Sequence, residues 1–179
     1  MNALITELKT RARLRLNAMR RVNGNEPAVS EQAVRPSPNG RLRDCLNLVA
    51  RESGFLNWEQ ARHVLGGAAV RGDDMGTFWH TPRCNGLLNH WFAGYDQARE
   101  ALAVSDHRVL IPYRRQFIVV DGNYLRELDL DPDDAAWRLA ERDLVGAYGS
   151  AAWLALSRQR LMASRPDVHP AHARPPQGA

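Results

Sequence analysis

Two short β-branched runs set close together limit the fold of this chain more than any other feature. Residues 109–112 and 116–120 are rich in Val and Ile, and only Tyr113-Arg114-Arg115 stands between them. Apolar runs of that length read as strands, and so short a connection suits antiparallel neighbours. The segments on either side carry a different signal. Leu4, Ile5, Leu8, Ala12, Leu16 and Met19 recur at three- and four-residue spacing, one stripe of a helix capped by Asn2 and running to about residue 22. Asn23-Gly24-Asn25 ends it, and residues 25–37 read as a linker.

A second helix is expected from Ser37-Pro38, with Leu42, Cys45, Leu46, Val49 and Ala50 as its stripe and Gly54 as its stop. Asn57 with Gln60 predicts a capped third helix carrying Trp58, Ala61, Val64 and Leu65. Residues 68–76, with Gly72, Gly76, Asp73 and Asp74, form a loop. Residues 77–79 and 86–92 are candidate strands, the second equally able to be helical. Residues 95–104 predict a helix, Asp121-Gly122 a turn, Asp131-Pro132-Asp133-Asp134 the start of a helix to about residue 145, and Ser150 the cap of a last helix. The expectation is an α+β protein: a basic helical module over 1–66, an α+β part over 67–164 with a small antiparallel sheet and C-terminal helices, and a Pro-rich disordered tail over 165–179.

Charge singles out the first third. Residues 1–62 hold 11 basic and 6 acidic groups, a net of +5, while residues 63–179 hold 13 and 14, a net of −1. Lys9, Arg11, Arg13, Arg15, Arg20 and Arg21 cover the first helix outside its apolar stripe. Cations on one exposed face suit a DNA or RNA backbone. They equally suit a solvated helix face, a protein partner, or an anionic lipid surface, though the apolar face has no Trp or Phe. Arg usage is general, since 23 of 24 basic side chains are Arg, and this weakens any argument from each Arg alone. No apolar run is long enough to span a bilayer, no signal peptide is recognised, and Cys45 and Cys84 make no disulfide framework. A cytoplasmic protein with reduced thiols, and no membrane partner, is expected.

Arg114 and Arg115 between the two strands are a second candidate site for a phosphate or carboxylate, with Tyr113 able to stack on a base. In a strand they would face opposite ways. A plain polar connection is the alternative. His80, Cys84 and His90 are zinc-ligand types, but H-x3-C-x5-H matches no strong motif. The alternative is that His80 and His90 are half-buried hydrogen-bonding groups beside Trp79 and Trp91. No G-x-S-x-G, P-loop, G-x-G-x-x-G or H-E-x-x-H is present, so no catalytic residue is named and no cofactor is implied.

The stretch RLRDCLNLVARESGFLNWEQARH, through Leu48, Val49, Ala50, Gly54, Phe55, Asn57 and Trp58, resembles a helical module at the N-terminus of bacterial glyoxalase-superfamily-related proteins. NHWFAGYDQAREAL and IPYRRQFIVVDGNYLREL are similar to uncharacterised proteins of plasmids and integrative elements. Neither resemblance carries a catalytic residue. The glyoxalase metal site needs paired βαβββ units, and residues 68–165 do not supply two, so that site is not carried over.

These features point first to a non-enzymatic accessory protein of a mobile element, binding nucleic acid or a nucleic-acid-associated partner through its basic helix. The alternatives are a small-ligand or metal-dependent enzyme around His80, Cys84, His90 and Tyr113, and a protein–protein regulatory module.

Overall fold

The computed structural model describes residues 2–24, 41–87 and 89–164. The expected linker, the Ser37-Pro38 helix start and the C-terminal tail lie outside the described residues.

Helix α1 spans Ala3–Gly24. Asn2 Oδ1 accepts the Leu4 N–H at 2.9 Å, which satisfies one of the donors left free in a first turn. Asn2 Nδ2 also donates to the Leu65 carbonyl, tying the cap to the next helices. Leu4, Ile5, Leu8, Ala12 and Leu16 are buried, so the expected stripe forms except at Met19, which is exposed, and α1 packs on α2 (Leu42–Glu52), α3 (Trp58–Leu65) and α7 (Ala151–Ala163). Arg41 has extended backbone, so α2 begins at Leu42. At α3, Asn57 Oδ1 accepts the Gln60 N–H at 2.9 Å, while Gln60 Oε1 takes the Leu56 N–H instead of closing the expected box on Asn57.

The sheet holds β1 (His90–Phe92), β2 (Val109–Tyr113) and β3 (Gln116–Val120) in the order β1-β3-β2, all antiparallel. Tyr113 pairs with Gln116, so a two-residue turn closes β2 onto β3. Both faces of β2 and β3 are covered, which is why these two strands lack polar alternation. Leu110, Phe117 and Val119 pack on Ala98 and Leu102 of α4 (Tyr95–Ala103), while Val109, Ile111, Ile118 and Val120 join the main helical core. That core runs without a break from Leu4 of α1 to Leu161 of α7. The free edge of β2 is met by residues 142–144: Leu110 N–H donates to the Arg142 carbonyl at 2.8 Å, and Leu144 N–H to the Leu110 carbonyl at 2.9 Å. Backbone groups on an edge strand need such partners when water is excluded.

Four local expectations fail. Residues 77–79 are a turn, closed by His80 N–H on the Thr77 carbonyl, and among the described residues of 86–92 only His90–Phe92 pairs as a strand, after a 3₁₀ turn Pro82–Gly86. Asp121-Gly122 begins α5 (Gly122–Glu127), because Asp121 Oδ1 accepts both the Asn123 and Tyr124 N–H groups. The helix expected over 131–145 is α6, Ala135–Leu139 only: Asp134 is its cap, and Glu141 and Arg142 enter the left-handed region at φ +51° and +58°, which no α-helix continues through. Ser150 caps α7 as expected, accepting the Trp153 N–H.

Candidate anion-binding site at the hairpin end

The β2–β3 turn is built on another backbone. Arg114 N–H donates to the Gly76 carbonyl at 2.7 Å, and Arg114 accepts from Met75 N–H at 2.9 Å. Gly76 in turn lies against the connection between α2 and α3. A Cβ on Gly76 would sit 2.6 Å from the Gly54 carbonyl oxygen, and its φ of +69° favours glycine, so this close approach depends on glycine. Thr77 fastens the same joint, donating from both N–H and Oγ1 to that carbonyl. The turn itself holds Arg114 at φ +51°, where a side chain other than Gly, Asn or Asp is unusual.

That conformation corrects the strand-based expectation. Arg114 and Arg115 are turn residues, and both line one cavity of about 180 Å³ with Arg71, Asp73 and Tyr148. The size is informative. It exceeds the ~30 Å³ share of a water molecule several-fold, yet falls short of the roughly 300 Å³ at which whole small-molecule sites begin. It suits one anionic group of something larger.

The three guanidiniums have no carboxylate within ion-pairing distance among the described residues. Arg71 lies over Tyr95, its Cζ 3.9 Å from the ring centroid, a contact that helps to orient the cation. Tyr95 is itself fixed, donating to Asp143 Oδ2 at 2.6 Å, and burial together with that carboxylate pushes its hydroxyl pKa up to about 12. The one acidic lining residue, Asp73, is engaged elsewhere: Oδ2 meets His63 Nε2 at 2.8 Å and accepts the Val70 N–H at 3.0 Å. The His63 hydrogen bond, then the Val70 N–H, and at longer range the charges of His63 and Arg115 hold its carboxyl below the ordinary range. Three cations against one such carboxylate leave the lining positive by two. Tyr148 closes the floor, its hydroxyl accepting from Ala69 N–H and donating to the Val64 carbonyl.

Helix α1 divides its cations. Arg11 bonds Glu7 at 2.9 Å and the Leu161 carbonyl, and Arg15 pairs with Glu52. These two serve the fold, contrary to the expectation of one open basic face. Lys9, Arg13 and Arg20 follow at spacings of four and seven, which places them on one flank. They have no acidic partner among the described residues, and Arg13, Arg20 and Arg21 are exposed.

His80, Cys84 and His90 do not converge. Among the described residues no group of three His, Cys, Asp or Glu side chains could hold a metal ion. His80 is half-buried, with Nδ1 2.7 Å from the Tyr124 hydroxyl and Nε2 3.0 Å from Asn85 Oδ1, as the hydrogen-bonding reading expects. Burial lowers its pKa and raises that of Tyr124, whose hydroxyl also donates to the Trp79 carbonyl at 3.2 Å. Cys84 is wholly buried beside Thr81. His90 is exposed on β1 opposite Val119, not half-buried as expected. A larger groove near Asp106, Arg108 and Arg138 is lined by four Arg and four Asp side chains, so it has no preference for anions.

Arg71 was the residue that sequence reading missed. It sits in a loop with no motif, and only the packing of residues 69–75 against the hairpin brings it to Arg114. No helix among the described residues is long and apolar enough to cross a membrane. No protein-family model, curated protein or solved structure matches the chain.

Proposed function

We propose that this protein is a non-enzymatic nucleic-acid-binding protein that holds a backbone phosphate in the Arg71–Arg114–Arg115 socket. The observation that carries the proposal is three unpaired guanidiniums around a cavity sized for a single anionic group. A guanidinium presents paired N–H donors that match a phosphate. The socket is open to solvent on one side, so the rest of a polymer can continue past it. Lys9, Arg13 and Arg20 on α1, without acidic partners among the described residues, are further cations that would add electrostatic affinity.

Binding to labelled DNA and RNA at low salt tests this. Affinity should fall as salt rises, because each phosphate contact releases counterions. Replacing Arg115 by Gln should flatten that salt dependence by about 0.7–0.9 in the log–log slope, the share of one phosphate. Binding that ignores both salt and Arg115 would remove the proposal.

A further inference from the structure

We infer that the bound nucleic acid is single-stranded, and that an unpaired base stacks on Trp91, around the hairpin end from the phosphate socket. The inference rests on the nucleic-acid reading above and gives it a substrate class.

Trp91 is out of place for a structural tryptophan. Trp79, Trp137 and Trp153 are almost fully buried and Trp58 is partly so, whereas Trp91 is 43% exposed on the short edge strand β1. It points to the same side of the sheet as its partner Ile118, beyond the reach of the core that covers Ile118. Despite this exposure its ring is held on several sides. Tyr113 meets it edge to face at 4.9 Å and 86°, His80 approaches at 6.2 Å and 69°, and its Nε1–H donates to Asn89 Oδ1. An indole fixed in place with its N–H already satisfied loses little rotamer freedom on binding, and it needs no further hydrogen bond to accept a planar partner.

The platform adjoins the cations. Tyr113 is the last residue of β2, and the Arg114 guanidinium lies 5.6 Å from its ring centroid while also lining the socket. Trp91 and Tyr113 lie on the main-core face of the sheet, whereas the socket's Pro112 and Phe117 lie on the α4 face, and Arg114 stands at the hairpin end between the two. A base stacked on an aromatic ring with its phosphate on nearby arginines is how single strands are held without sequence preference. A duplex keeps its bases stacked on each other and offers no free face to Trp91.

The test uses the full chain, oligothymidylate and oligouridylate, and a duplex of the same length. Single strands should quench tryptophan fluorescence in the wild-type protein. Trp91→Phe should lose that quenching while keeping most of the affinity measured by anisotropy, because Phe still stacks. Trp91→Ala should weaken single-strand binding roughly tenfold and leave duplex binding unchanged. Equal affinity for duplex and single strand, with Trp91→Ala altering neither, would overturn the stacking inference and leave the phosphate socket standing. Absence of binding to every oligonucleotide at low salt would overturn both.

Discussion

Arg114 offers a test in which stability and binding separate. Its φ of +51° places Cβ against the neighbouring carbonyl, a strain of roughly 1–2 kcal/mol for a residue with a side chain. Glycine escapes that strain but brings an unfolded-state entropy cost of about 0.5–1 kcal/mol. Alanine keeps the Cβ and gains nothing, so Arg114→Gly should be more stable than Arg114→Ala by about 1 kcal/mol. The two backbone hydrogen bonds to Met75 and Gly76 are common to both variants and cancel in the comparison. For a chain of 179 residues the difference corresponds to about 2–4 °C in Tm. Thermal unfolding followed by circular dichroism measures it. Nucleic-acid affinity should fall equally in both variants, since each removes the same guanidinium. An alanine variant as stable as the glycine variant would refute the account of strain at this turn, and unchanged affinity in both would refute its purpose.

Further perturbations probe the supports of the site. Gly76→Ala should cost at least about 2 kcal/mol in urea unfolding, because its Cβ meets the Gly54 carbonyl at 2.6 Å and its φ is positive, and it should weaken binding by moving the turn. Asp143→Asn should cost about 2–3 kcal/mol, since that buried carboxylate accepts from Tyr95, Arg99, Val145 N–H and Gly146 N–H; an unaltered midpoint would contradict its role in fixing Tyr95 under Arg71. The pKa of His80 is lowered in the folded chain by burial, so the unfolded chain binds that proton first. Its contribution is therefore fully present above the unfolded value of about 6.5 and is lost as pH falls below it. Equilibrium unfolding between pH 7.5 and 5.5 should show this loss, and His80→Gln should reduce it.

The parts of the fold that were legible in sequence are those where local chemistry decides alone. Residues 109–120 formed the expected pair of strands because their β-branched side chains suit a sheet buried on both faces. Asn2, Asn57 and Ser150 capped helices because each side chain satisfies an N–H within three residues. The errors fall where two local solutions compete. Asp121-Gly122 suits a turn and a helix start equally, and only the packing of Tyr124 and Leu125 in the core selects the helix. Asp131 and Asp134 are both good caps, and the chain uses the second. Among the site residues, Arg114 and Arg115 were found from their place between strands, but strand parity assigned them to opposite faces, and the left-handed turn brings them to one. Arg11 and Arg15 looked like members of one basic face; long-range partners at Leu161 and Glu52, invisible in local sequence, take them out of it. Arg71 had no local signal at all.

The account turns on the anion socket, and one comparison addresses it directly. Binding of a labelled single-stranded oligonucleotide can be followed by anisotropy from about 50 to 200 mM salt for the wild-type chain, for Arg71→Gln/Arg114→Gln/Arg115→Gln, and for Lys9→Gln/Arg13→Gln/Arg20→Gln. The socket variant should lose most of the affinity and of the salt dependence, with the helix variant losing less. A socket variant that binds as the wild type does, at every salt concentration, would contradict the central claim.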